Sequence, residues 1–272
     1  MPGTSLAAIM VASPGSARVQ FSYRALHLLV HLLVGLVIAV ALQCSFGRLR
    51  PEPLARWWSA RLLAVFNISL RCRGSALGRA RLSVANHISW LDIPLISASQ
   101  DTRFVSKSEV RDWPVAGWLA NAAGSFYIRR GRGGAAPLLK RLCPHLERGG
   151  SVVIFPEGTT TAGEQPGLFH PRLFAAAIAA ECPVQPIAIR YSRASNGERI
   201  APFIGDTTLA GHILRLLREP ALQAEIIYCA PIPSHGRNRN ELAAAAQASI
   251  SHALSNAAMD YADEEQGIAV AA

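Results

Sequence analysis

The stretch Asn86-His87-Ile88-Ser89-Trp90-Leu91-Asp92 places a histidine five residues before an aspartate. It lies where a strand-like run (residues 81–85) gives way to a helix-like run (91–98). That spacing lets the carboxylate fold back onto the ring, accept the Nδ1 proton and leave Nε2 facing outward as an acceptor. A histidine held this way is a general base, a role that contributes roughly 10²–10⁴-fold in rate. The chain lacks the Gly-x-Ser-x-Gly pattern of a serine hydrolase. The proton that His87 takes is therefore expected to come from a substrate. The alternative is purely structural: Asn86, Ser89 and Asp92 are also residues that cap a helix.

A second constellation is Phe155-Pro156-Glu157-Gly158-Thr159-Thr160, directly after the apolar run Val152-Val153-Ile154. A turn at a strand end is where α/β proteins place their sites. Glu157 would orient a substrate hydroxyl or hold a cation. Gly158 lets backbone approach a ligand, and Thr159 and Thr160 add hydroxyl donors. The competing reading is a tight turn with a solvated glutamate.

These motifs need a scaffold, and the hydrophobic pattern from residue 79 onward supplies one. Strands are expected at 81–85, 103–106, 125–130, 151–155, 184–191 and 223–230. Helices are expected at 91–98, 115–122, 135–148, 172–181, 209–217 and 240–258. The alternation predicts an α/β fold, with a largely parallel mixed sheet flanked by helices.

Upstream, residues 25–46 form an almost continuous apolar run, about 33 Å long as a helix and close to a bilayer core. A second helix is expected over 54–70, with Trp57 and Trp58 beside Arg56 and Arg61, as suits a membrane interface. The two predict a membrane-associated helical hairpin whose first helix is a full span or re-entrant; the competing readings are a signal peptide or buried core helix for the first and an ordinary amphipathic surface helix for the second. The expected boundaries are a disordered lead-in (1–23), the two-helix segment (24–73), the catalytic domain (74–262) and a disordered tail (263–272). Arginines outnumber acids over residues 48–73, which predicts an inner-membrane enzyme with its catalytic domain on the cytoplasmic side.

The whole chain is apolar, with 50% hydrophobic residues, 17% charged residues and a mean hydropathy of +0.22, which also points to a membrane-associated segment. Its net charge of +9 suits acidic lipid headgroups or an acidic carrier protein. No recognition helix or aromatic RNA-binding motif accompanies that charge, so nucleic acid is not an expected partner. The five cysteines are odd in number and lack metal-ligand spacing; free thiols in a reducing compartment are expected.

Taken together, the motifs resemble the glycerolipid acyltransferase family, which includes the 1-acyl-glycerol-3-phosphate acyltransferases. Its Asn-His-x4-Asp block is matched by Asn86, His87 and Asp92. The aromatic-Ile-x-Arg block is matched by Tyr127-Ile128-Arg129-Arg130, Phe-Pro-Glu-Gly-Thr by Phe155 to Thr159, and the proline-bearing apolar strand by Pro183-Val184-Gln185-Pro186-Ile187. The first and third blocks carry the specificity. The resemblance implies that His87 and Asp92 are catalytic and that no acyl-enzyme forms. It implies substrate contacts from Asn86, Lys107, Arg130, Glu157, Gly158 and Thr159. No metal and no cofactor are implied beyond an acyl carrier protein or coenzyme A thioester as co-substrate. The partners implied are membrane lipids and a lysolipid acceptor.

Which lysolipid is less direct. Lysophosphatidate is the leading expectation, giving phosphatidic acid. Against it, the third block often continues Arg-Ser in lysophosphatidate enzymes, whereas Thr160 and Thr161 stand here. The stretches Leu168-Phe169-His170-Pro171-Arg172 and Gly205-Asp206-Thr207-Thr208-Leu209 resemble the branch that acylates lyso-ornithine lipid, which is the alternative. Two readings from other classes are a thioester hydrolase, separable by acceptor-independent turnover, and a non-catalytic lipid-binding protein.

Overall fold

Seven strands form one sheet in the order β1-β7-β6-β2-β5-β3-β4. The computed structural model describes the backbone of residues 14–129 and 135–270, and the side chains of residues 18–129 and 135–256. The strands are β1 (Ile68–Arg73), β2 (Arg81–Ala85), β3 (Arg103–Lys107), β4 (Phe126–Ile128), β5 (Ser151–Ile154), β6 (Val184–Tyr191) and β7 (Leu222–Tyr228). All neighbours run parallel except β6 and β7, so the sheet is mixed and largely parallel, as expected. The central strands β2 and β5 are buried at every position, the mark of a sheet covered on both faces.

Helices α3 (Asp92–Ser99), α4 (Ala116–Ala122), α5 (Ala135–Glu147), α6 (Ala175–Ala179), α7 (Leu209–Arg218) and α8 (Arg239–Val270) connect or cover the strands. One core joins Leu91, Leu95 and Ile96 to Ile187, Ile189 and Ile226. The other joins Leu138, Leu142 and Leu146 to Val152, Ile154 and Leu242.

Proline in an interior strand removes a ladder donor, yet Pro186 sits in β6. It falls where the pairing with β7 is interrupted, between Tyr228 and the isolated bridge at Ile232. Its carbonyl still accepts from Cys229 N at 3.0 Å.

The N-terminal region departs from expectation in three places. Helix α1 (Pro14–Cys44) starts ahead of the boundary expected at residue 24; the lead-in before Pro14 lies outside the described residues. Helix α2 (Pro51–Val65) opens with proline in its first turn, where a missing N–H costs nothing, and stops before residue 70. Asn67 then takes a left-handed conformation (φ 54°) and the chain enters β1, a seventh strand that was not expected. Its signal was present: Ile68, Leu70 and Cys72 alternate with polar residues.

Nor do residues 24–73 form a separate two-helix unit. Leu62, Leu63, Val65 and Phe66 are buried in the same core as Leu91 and Leu95, so α2 belongs to the catalytic fold. At the other end, the tail expected after residue 262 is helical to Val270.

Helix α1 remains as one long apolar helix. Arg24, Leu28, His31, Gly35 and Ala39 are buried, a single stripe at helical spacing. The rest of the surface is apolar and open, with Leu29, Leu33 and Val37 at 56%, 54% and 68% exposure. Among the described residues, only residues 18–44 are long and apolar enough to cross a membrane.

Candidate active site

Sheet register assembles the site. β2 and β5 are parallel neighbours with Val84 opposite Ile154. Three residues beyond each, the chain delivers His87 and Glu157 to the same level. There the His87 backbone N–H donates to Glu157 Oε1 at 2.7 Å. β6, β3 and β4 point the same way, so Tyr191, Lys107 and Arg129 arrive at this edge too.

The pair expected from the sequence is formed. His87 Nδ1 donates to Asp92 Oδ2 at 2.8 Å. The backbone N–H groups of Ile88 (2.7 Å) and Ser89 (3.0 Å) donate to the same oxygen, at the start of α3. The other oxygen, Oδ1, accepts from the Tyr191 hydroxyl at 2.6 Å. Asp92 is fully buried. Burial, reinforced by the Asp92 charge, pushes the Tyr191 hydroxyl well above its ordinary value of 10, so it stays a donor. The His87 ring stacks on Phe155 (centroids 4.0 Å apart, planes at 18°), and Phe104 stacks behind Phe155 at 6.4 Å. With Nδ1 tied to Asp92, Nε2 is the edge left for a substrate proton.

The loop carrying His87 is also held from outside. Thr161 N donates to the His87 carbonyl at 2.8 Å, and Phe203 N donates to the Ile88 carbonyl at 2.9 Å. The Thr160 hydroxyl bonds the Phe203 carbonyl. Thr160 and Thr161 thus hold the His87 loop and the segment around Phe203 together.

His87 lies on a groove of about 1310 Å³ whose walls include Leu28, Leu32 and Gly35 of α1 and Leu54, Trp58 and Leu62 of α2. Trp58 fixes the angle between these helices. Its indole N–H donates to the His31 carbonyl at 3.1 Å, and His31 Nε2 donates to the Trp58 carbonyl at 3.0 Å. Lys107, Arg129, Gly158, Thr159 and Arg172 also line the groove. The space is a mostly apolar groove with cations and a histidine among its lining, which suits a chain with a polar end.

Two residues expected to touch substrate are placed differently. Asn86 is buried, and its amide makes two bonds to the Ile189 backbone, donating at 2.9 Å and accepting at 2.8 Å. It prolongs the β2–β6 ladder by one side-chain rung, so it positions rather than binds. Glu157 stands behind His87 and is buried. Its Oε1 takes the His87 N–H, and its Oε2 takes the Gly167 N–H at 2.8 Å. Burial raises the Glu157 carboxyl above its ordinary value, while the two backbone donors pull it back down. Both residues were found by motif, but their partners are backbone groups that only the fold brings near. Arg130 lies outside the described residues; Arg129 beside it faces the groove. Tyr191 had no signal in the sequence beyond ending an apolar strand.

Comparison with known proteins decides the family. The Acyltransferase family pattern matches residues 71–190. A lyso-ornithine lipid O-acyltransferase of Pseudomonas aeruginosa is 48% identical over 203 residues, covering 75% of this chain and 79% of its own. The chain belongs to the acyltransferase family and is an acyltransferase enzyme. A 1-acyl-sn-glycerol-3-phosphate acyltransferase of Neisseria gonorrhoeae is 34% identical over 146 residues, covering 53% of this chain and 57% of its own. The crystal structure of a 1-acyl-sn-glycerophosphate acyltransferase from Thermotoga maritima shares the fold, with a TM-score of 0.66 at 20% identity over 88% of this chain and 95% of that one.

Proposed function

We propose that this enzyme moves a fatty acyl group from a thioester carrier to the free hydroxyl of a lysolipid, and that the lysolipid is lyso-ornithine lipid. The observation that carries the acceptor is the 48% identity to the Pseudomonas protein over 79% of its length, against 34% over 57% for the Neisseria lysophosphatidate enzyme. This reverses the order expected from the motifs alone, which set lysophosphatidate first. Thr160 supports the change. The position where many lysophosphatidate enzymes carry arginine is here a threonine committed to the Phe203 carbonyl.

In the proposed reaction, Nε2 of His87 takes the proton of the acceptor hydroxyl while Asp92 holds Nδ1–H. The alkoxide oxygen attacks the thioester carbonyl, the C–S bond breaks, and the imidazolium returns the proton to the thiolate. The products are an ester and a free thiol. The groove between α1 and α2 takes acyl chains, each buried methylene contributing about 0.8 kcal/mol. Lys107 and Arg129, with Arg130 by resemblance, meet the carboxylate of the head. Gly158 and Thr159 shape the wall beside it.

The exposed apolar face of α1 lies in the bilayer, with the groove opening toward the lipid and the catalytic domain on the cytoplasmic side. Acyl carrier protein and coenzyme A thioesters are both donors of the right chemistry.

The test is acyl transfer by the full chain in detergent, with lyso-ornithine lipid and lysophosphatidate offered together. Esterification of lyso-ornithine lipid at tenfold or greater preference is expected. A preference for lysophosphatidate would overturn the acceptor. Acceptor-independent thioester hydrolysis as the dominant turnover would overturn acyl transfer to lipid.

A further inference from the structure

We infer that Tyr191 is a positioning residue for the reaction, acting through Asp92 on the histidine. The inference rests on His87 serving as the base, as proposed above.

The placement follows from β6. Asn86 clamps the Ile189 backbone with two bonds, which fixes the register of the strand end against the His87 loop. Strand side chains alternate, so Ile187, Ile189 and Tyr191 share one face. The third of them reaches Asp92 from 99 residues away in sequence. Three donors already converge on Oδ2: the His87 ring and two backbone N–H groups. These leave the carboxylate free to rock about Oδ2. The Tyr191 hydroxyl on Oδ1, at 2.6 Å, removes that freedom. A buried carboxylate with donors on both oxygens has one orientation, and the imidazole bonded to it inherits that orientation. The hydroxyl also shares the negative charge in a buried setting where a charge-assisted bond is strong. The tyrosine has no contact with the groove that His87 lines, and its hydroxyl is engaged on the Asp92 oxygen that the ring does not use.

The test uses the full chain in detergent, assayed on the acceptor it prefers. Tyr191→Phe deletes one oxygen and keeps the ring that packs in the core. Its kcat should fall about tenfold, equivalent to about 1.4 kcal/mol in the barrier, while KM for acceptor and thioester stays within twofold. In an Asp92→Ala background the same change should have no further effect, because the carboxylate through which it acts is gone. Independent, multiplying losses would overturn the inference, as would an unchanged kcat. If Tyr191→Phe does not fold, a fluorinated tyrosine at 191 keeps ring and hydroxyl while drawing more charge from Oδ1. The bond and the orientation are kept, so plateau kcat should stay within about twofold, while the smaller charge left on Asp92 should move the acid limb of the kcat/KM pH profile to lower pH; an unmoved limb would overturn the inference. His87→Ala in the same assay separates the two levels. Full activity there removes the base itself, whereas an inactive His87→Ala beside an unaffected Tyr191→Phe removes only the tyrosine.

Discussion

Glu157 accepts the backbone N–H of His87, not its ring, and so the third motif holds the first in place from behind. Its other oxygen holds Gly167. Two partly buried N–H groups depend on one carboxylate, and a buried donor left unsatisfied costs about 1–3 kcal/mol. Glu157→Ala should therefore lower unfolding stability by about 1–3 kcal/mol in urea titration and reduce kcat together with it. Full stability with a raised KM for acceptor would instead mean that the carboxylate meets the substrate.

His87→Ala should lower acyl transfer roughly 10²–10⁴-fold, the contribution of a positioned general base. The ring is only 19% exposed, stacks on Phe155 and donates to buried Asp92, so its removal should also lower the thermal midpoint by several degrees while the protein still folds. Circular dichroism melting beside the transfer assay checks both halves.

Buried His212 predicts a loss of stability in mild acid. Its Nδ1 accepts from the Trp90 indole at 2.8 Å and its Nε2 donates to the Ile200 carbonyl at 2.7 Å, an arrangement that requires the neutral ring. Burial pushes its pKa below 6.5; the Ile200 bond opposes this and Arg215 adds to it. The unfolded chain then takes up the proton first as pH falls. Stability contributed by this site is complete above about pH 6.5 and declines below it, toward the folded-state value. His145, also lowered by burial, acts in the same direction. Urea unfolding at pH 7.5 and pH 5.5 should show the decline in wild type. His212→Phe should be less stable at pH 7.5 but lose less between the two conditions.

Arg24 fastens α1 to the catalytic domain. Its guanidinium donates to the carbonyls of Leu217 (3.4 Å), Glu219 (2.5 Å) and Pro220 (2.9 Å), at the end of α7 where helix carbonyls lack partners. Arg24→Leu keeps α1 apolar and removes the fastening. Protease cleavage in the α1–α2 connection should accelerate several-fold, and KM for lipid should rise as the groove wall loosens. Vesicle association should persist, because the exposed apolar face of α1 is untouched.

How much of this was readable in the chain depended on the range of each interaction. The His87–Asp92 bond is local, five residues apart, and the motif alone predicted it. Strands β2 to β7 announced themselves as apolar runs between turns. By contrast, β1 was missed despite its alternating Ile68, Leu70 and Cys72, because Asn67 turns the chain from α2 into the strand with no Gly or Pro to mark the change. Asn86 and Glu157 were found by type but given the wrong partners, since Ile189 and Gly167 reach them only through the folded sheet. Tyr191 was invisible for the same reason, 99 residues from the aspartate it touches. Thr160 reads in the sequence only as a missing arginine, and the fold alone shows that its hydroxyl bonds the Phe203 carbonyl.

The sheet collects its chemistry in spatial rather than chain order, and that constrains when the enzyme comes alive. His87, Asp92 and Glu157 leave the ribosome well before Tyr191, yet β2 has no partner on its β6 side until that strand is synthesised. A nascent chain or a truncated product ending at residue 188 would carry all four motif blocks and still lack both the Ile189 rung that clamps Asn86 and the Tyr191 hydroxyl on Asp92. Such fragments should be inert toward acyl thioesters.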